Sequence, residues 1–157
     1  MTKERKLYNL LVIFISTGAG SGYFPLIPGT IGSLVGVAIY LSLSYLCTYG
    51  YILILIALFA LACWSAGEAE VIFRERDCQK IVIDEIFGYL VAMLFIPLSL
   101  RFIIFGFILF RFFDMVKFPP ANIIDRKMSG GYGVVLDDVV AGIYSNLILQ
   151  LIRLILR

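Results

Sequence analysis

The chain has 157 residues, of which 61% are hydrophobic and 15% charged, with a mean hydropathy of +0.98. That balance excludes an ordinary soluble domain, which is about half apolar and a quarter charged, and points to a single membrane-embedded domain over residues 1–157. A net charge of +2, with no basic stripe, excludes a nucleic-acid binder and leaves only weak attraction to anionic lipid.

In chain order, a short basic start leads into Leu7–Ser16, which is apolar but too short for the roughly 20 residues a crossing needs. It reads as an uncleaved helix at the membrane interface. Gly18 to Ser33 is rich in glycine and proline, which predicts a loop with free backbone N–H groups. Thr30 is the expected N-cap of the next helix. Ile31–Thr48 and Tyr49–Ala66 read as a helical hairpin through the membrane, turning near Thr48-Tyr49-Gly50. Gly67–Lys80 is a charged continuation into water. Ile81–Leu100 is the expected third span, Arg101–Phe113 a short fourth extending toward Lys117, and Val134–Leu156 the last. The expected fold is thus an all-α, polytopic membrane helix bundle of about four to five spans, with a short N-terminal interfacial helix and a one-sided polar active-site face.

Threading these spans places Asp84-Glu85, Asp114 and Asp137-Asp138 on one face, beside the glycine loop. Lys3, Arg5, Lys6, Arg74, Arg76, Lys80, Lys117, Arg126 and Lys127 share that face, against Arg101, Arg153 and Arg157 opposite. The positive-inside rule makes it cytoplasmic.

The acidic pairs sit within hydrophobic runs, IVIDEIFGYL and VVLDDVVAGI. Acids near a helix start also complement the macrodipole, but ionised groups in apolar segments are costly and mark function by default. Gly88 and Gly142 lie about a turn beyond the pairs, where a missing side chain lets another helix approach. Arg111, Asp114 and Lys117 follow i, i+3, i+6 spacing on one helix face, either as an interfacial ion-pair ladder or as one carboxylate ligand with cations toward phosphate. Asp125-Arg126 is less specific and reads equally as a solvated turn. The Gly18–Thr30 loop, with Ser21, Gly29 and Thr30, resembles an anion cradle ahead of a helix N-terminus, though it lacks the Gly-Lys-Ser/Thr of a nucleotide-binding loop.

The chain has no histidine, which removes histidine bases, histidine ligands and phosphohistidine intermediates together. Cys47, Cys63 and Cys78 have no metal-ligand spacing, and no disulfide is expected. A Cys-x5-Arg phosphatase is excluded because the positions six after each cysteine are Leu53, Ala69 and Asp84. Carboxylates from several helices suit a hard, oxygen-seeking cation, Mg2+, held together with substrate phosphate. Candidate metal and catalytic residues are Asp84, Glu85, Asp114, Asp137 and Asp138; candidate phosphate-binding residues are Arg111, Lys117, Arg126, Ser21, Gly29 and Thr30. Whether the nucleophile is water or an aspartate stays open. The predicted activity is magnesium-dependent phosphatase action on a lipid head group.

The ordered motifs resemble the bacterial phosphatidylglycerophosphatase A family over nearly the whole chain. They are Gly20-Ser21-Gly22, Pro25, Pro28-Gly29-Thr30, Gly32-Ser33-Leu34, Asp84-Glu85 with Gly88, Phe110-Arg111 with Asp114 and Lys117, Asp125-Arg126, Gly130-Gly131 with Gly133, and Asp137-Asp138 with Ala141-Gly142. The resemblance implies hydrolysis of phosphatidylglycerophosphate to phosphatidylglycerol and phosphate, with magnesium, at the cytoplasmic face of the bacterial inner membrane. Two departures stand out. Lys117-Phe118-Pro119-Pro120 replaces the family's Lys-Pro-x-Pro, and Ser129 stands where a histidine is often found. Other readings are a membrane phosphotransferase of phospholipid synthesis, whose Asp-x2-Asp-Gly-x2-Ala-Arg run is absent, and a small transporter or assembly subunit, whose acids should lie near mid-membrane.

Overall fold

The structure, a computed structural model, describes residues 3–155. Met1, Thr2, Leu156 and Arg157 lie outside them, including the end of the expected last span and one cation placed opposite the acids. Among the described residues the fold is all-helical: α1 (Lys3–Ser16), α2 (Pro28–Leu43), α3 (Thr48–Phe73), α4 (Ile83–Ala92), α5 (Leu100–Val116), α6 (Ala121–Lys127) and α7 (Gly131–Ile155), with one 3-10 turn at Ser21–Tyr23.

The expected number of spans is corrected. Among the described residues only α3, with 26 residues, and α7, with 25, are long and apolar enough to cross a membrane. At 1.5 Å per residue, α2 and α5 rise roughly 24–26 Å, short of a hydrocarbon core of ~30 Å. The expected third span over Ile81–Leu100 is broken: α4 has ten residues and stops at Ala92. Phe95 adopts a positive φ of 62°, and Pro97 lacks an N–H and biases Ile96 away from helical backbone.

A helix that ends inside an apolar bundle leaves carbonyls without partners. Here side chains supply the donors. Tyr51 donates to the Leu90 carbonyl (2.8 Å), Asn146 to those of Ala92 (2.8 Å) and Leu94 (2.7 Å), Tyr40 to Ile96 (3.1 Å) and Arg153 to Phe95 (2.9 Å). The sequence pattern reads residues 81–100 as continuous because these partners come from α2, α3 and α7.

α4 is the centre of the bundle, with eight of its ten residues buried and α2, α3, α5 and α7 around it. Its closest neighbour is α7, and glycine permits the approach. A Cβ on Gly142 would lie 2.4 Å from the Gly88 carbonyl oxygen, and one on Gly88 would lie 2.8 Å from that of Asp138. Outward-facing Leu53, Ile56, Ile108, Leu147 and Leu151 are all more than half exposed, an apolar surface suited to lipid.

Several local boundaries differ from expectation. α1 packs along α3, with Val12 fully buried and Tyr8 edge-on to Trp64 at 6.1 Å. α2 starts at Pro28, which occupies the first turn where its missing N–H costs nothing, so Thr30 lies inside the helix and Ile27 precedes it. The hairpin turn falls before Thr48, where α3 begins. Of the Gly130-Gly131 and Gly133 motif, Gly131 and Gly133 lie in the first turn of α7, with only Gly130 outside it.

Gly142→Val is expected to destabilise the bundle by about 1–3 kcal/mol, the usual cost of overpacking. A lowered thermal midpoint in detergent checks this. An unchanged midpoint contradicts the close approach of α4 and α7.

Candidate active site

α4 and α7 run the same way: Asp84 and Glu85 lie by Asp138 at one end, and Ala92 lies by Asn146 further along. The acids therefore occupy the first turn of α4 and the second of α7, near helix ends and away from mid-bundle. α5 delivers Arg111 and Asp114 from its last turns. Lys117 caps α5 in a left-handed conformation (φ 47°), so it reaches the site from beyond the helix and not from the expected continuous face. It does so despite the altered proline pattern that follows it.

These residues line a cavity of about 400 Å³ together with Gly29, Thr30 and Asp77. A second cavity, about 270 Å³ around Tyr40, Tyr51 and Met93, is lined by no acidic or basic side chain. Asp84, Asp137 and Asp138 are buried and Glu85 half-buried. One carboxylate oxygen from each of Asp84, Glu85 and Asp138 lies within 4.8 Å of the others.

Two cations answer part of this charge. Arg111 Nη1 donates to Asp114 Oδ2 at 2.5 Å and stands 3.9 Å from Glu85 Oε1. Lys117 Nζ contacts Asp137 Oδ2 at 2.7 Å and Asp125 Oδ1 at 3.0 Å. Burial by itself lowers the pKa of Lys117, but the hydrogen bond and charge of Asp137, helped by Asp125, outweigh it and raise the pKa above its ordinary value. Lys117 therefore stays charged at neutral pH.

The balance remains acidic, with six carboxylates and two cations on the cavity wall. Glu85 Oε2 and Asp137 Oδ1 are buried without a hydrogen-bond partner. Buried ionisable oxygens without partners are costly. An all-oxygen donor set with unused lone pairs fits a hard divalent cation.

The expected anion cradle is only partly assembled. Gly29 and Thr30 line the cavity at the start of α2, where the first N–H groups of a helix have no intrahelical partner. A Cβ on Gly29 would lie 2.2 Å from Glu85 Oε1 and 3.1 Å from Arg111 Nη1, so glycine lets the helix start meet the acids. Ser21 stands apart. Its hydroxyl donates to the Thr17 carbonyl (3.1 Å), and a Cβ on neighbouring Gly22 would meet the Lys80 carbonyl, so this part of the loop serves as a packing turn. Arg126 is exposed on α6 and off the cavity wall, while its neighbour Asp125 holds Lys117. Asp77 also lines the cavity, although it is one of four acids in the charged run 67–80 and nothing local distinguishes it there.

Fold and site define an all-helical, strongly apolar protein with an acid-rich, cation-flanked pocket at the helix ends. The chain belongs to the phosphatidylglycerophosphatase A family, whose sequence profile matches residues 14–153. It is an enzyme, a phosphoric monoester hydrolase. Phosphatidylglycerophosphatase A of Haemophilus influenzae is 36% identical, covering 98% of each chain. That of Escherichia coli is 31% identical over 88% of this chain and 81% of its own. A Bacteroides thetaiotaomicron protein with the provisional name phosphatidylinositol-3-phosphatase is 37% identical over 92% of this chain and 95% of its own. No solved structure matches the chain significantly.

The Lys117–Asp137 contact is expected to couple the two residues. A double-mutant cycle of Lys117→Met and Asp137→Asn, read by unfolding, should give an interaction of about 1–3 kcal/mol. A coupling of zero contradicts the contact.

Proposed function

We propose that the chain hydrolyses the phosphomonoester of phosphatidylglycerophosphate to phosphatidylglycerol and inorganic phosphate. We place this activity in a multi-pass protein of the bacterial inner membrane, at its cytoplasmic face, with Mg2+ as cofactor. The observation that carries the reading is the gathering of Asp84, Glu85 and Asp138 in one cavity with Arg111 and Lys117. The substrate assignment rests on the named activity of the Haemophilus and Escherichia relatives. The face rests on the cations that accompany the acids.

In this reading Asp84, Glu85 and Asp138 hold the metal. Magnesium, when bound, supplies charge neutralisation at the phosphate oxygens. Arg111 and Lys117 present fixed positive charge to the remaining oxygens, where charge shifts as the phosphorus–ester bond breaks. Asp114 and Asp137 orient those cations through contacts already in place. The start of α2, at Gly29 and Thr30, offers N–H donors and a favourable dipole. At the cavity mouth Leu26 and Met115 are 84% and 70% exposed. This apolar rim suits the diacylglycerol part of a lipid and has no purpose for a soluble phosphate ester.

The test is phosphate release by purified protein from phosphatidylglycerophosphate, with phosphatidylinositol-3-phosphate assayed alongside, in magnesium and in chelator. Release is expected only with the metal. Asp84→Asn and Asp138→Asn should each lower kcat by on the order of 10²-fold or more, the scale of losing one preorganised electrostatic group, while remaining folded. Full activity in chelator, or in a folded Asp84→Asn variant, overturns the reading.

A further inference from the structure

Of the six cavity carboxylates, Asp84, Glu85 and Asp138 cluster, Asp114 is paired with Arg111 and Asp137 with Lys117. Asp77 has neither role. It lies on the same wall and is exposed, and among the described residues its carboxylate has no hydrogen bond and no cation within 4.0 Å.

Its backbone is firmly held. Asp77 has a φ of +48°, a left-handed conformation that aspartate tolerates better than most residues. Its N–H donates to Glu70 Oε1 at 2.7 Å. On one side Arg76 donates to the carbonyls of Asp125 (2.7 Å) and Met128 (2.8 Å). On the other side Cys78 is 3% exposed, and its carbonyl accepts from the Ile81 N–H at 2.8 Å. The held backbone fixes where the side chain starts on the cavity wall, and its carboxylate oxygens are left free to accept a hydrogen bond from a ligand there.

An ionised carboxylate only accepts hydrogen bonds. It repels a phosphate and pairs with a donor beside it. Phosphatidylglycerophosphate and phosphatidylinositol-3-phosphate, the lipids named for the relatives, share such a donor: each has a free hydroxyl on the carbon next to the phosphorylated one. Phosphatidic acid, whose neighbouring oxygen is acylated, does not. We infer that Asp77 is a specificity-determining residue, accepting a hydrogen bond from the head-group hydroxyl vicinal to the phosphate ester and so selecting polyol phosphates over phosphatidic acid. This rests on the phosphatase reading above.

The experiment compares phosphatidylglycerophosphate with its deoxy analogue, in which that hydroxyl is replaced by hydrogen, using wild type, Asp77→Ala and Asp77→Asn. Wild type should favour the hydroxylated lipid by about ten- to a hundredfold in kcat/KM, the scale of a hydrogen bond to a charged group. Asp77→Ala should remove the preference by lowering activity on the natural lipid while sparing the analogue. Asp77→Asn, whose amide oxygen still accepts, should keep part of the preference and serves where the alanine variant does not fold. Equal losses on both lipids, or an undiminished preference in both variants, overturn the inference. If wild type cleaves neither lipid, the phosphatase reading falls and takes this inference with it. If wild type cleaves both equally well, only the selectivity claim falls.

Discussion

The contact between α4 and α7 at Gly88 and Gly142 sets the terms for everything else in this protein. Where a Cβ would strike the opposing carbonyl at 2.4 Å, two helices that each carry an acidic pair come close enough to share the space between their ends. The result is electrostatically unfavourable by itself. Two like charges within 4.8 Å of one another repel by about 3.5 kcal/mol or more at an effective dielectric near 20, and desolvation adds to that. Packing energy from a buried apolar α4 holds the acids where charge alone would separate them. Such a site favours occupation by positive charge, which is the property a phosphate-handling centre needs.

The surrounding structure deals with this tension at both ends of α4. At the acidic end, Arg111 and Lys117 neutralise two of the carboxylates that are outside the cluster. Asp125 holds Lys117 from α6, and Arg76 ties the start of the charged loop to the carbonyls of Asp125 and Met128. At the other end, Tyr51, Tyr40, Asn146 and Arg153 take up the carbonyls freed by the early stop of the helix. α4 can therefore be short and central at once. A longer helix would need no such partners.

Much of the site was legible because apolar sequence makes acids conspicuous: Asp84-Glu85 and Asp137-Asp138 interrupt hydrophobic runs, and Gly88 and Gly142 mark the approach. Asp114, Arg111 and Lys117 followed from helical spacing, although Lys117 reaches the cavity through a left-handed cap. Ser21 stands in the glycine loop and Arg126 in the Asp125-Arg126 motif, but tertiary packing directs both away from the cavity. Asp77 was hidden in a charged run where every acid looks solvated, and only the folding back of that loop brings it to the wall. The span count failed for a related reason. Hydropathy measures apolarity, and α4 is apolar and buried among other helices while its ten residues are too few to cross a bilayer. Its stop depends on side chains dozens of residues away in sequence.

The most direct test of the central claim is binding of Mn2+, as a spectroscopic stand-in for magnesium, followed by electron paramagnetic resonance on the purified protein without lipid substrate. Wild type is expected to bind saturably, with binding lost or strongly weakened in both Glu85→Gln and Asp138→Asn, which draw on different helices. Binding that survives unchanged in both variants, or no binding by wild type, would contradict a metal shared between α4 and α7.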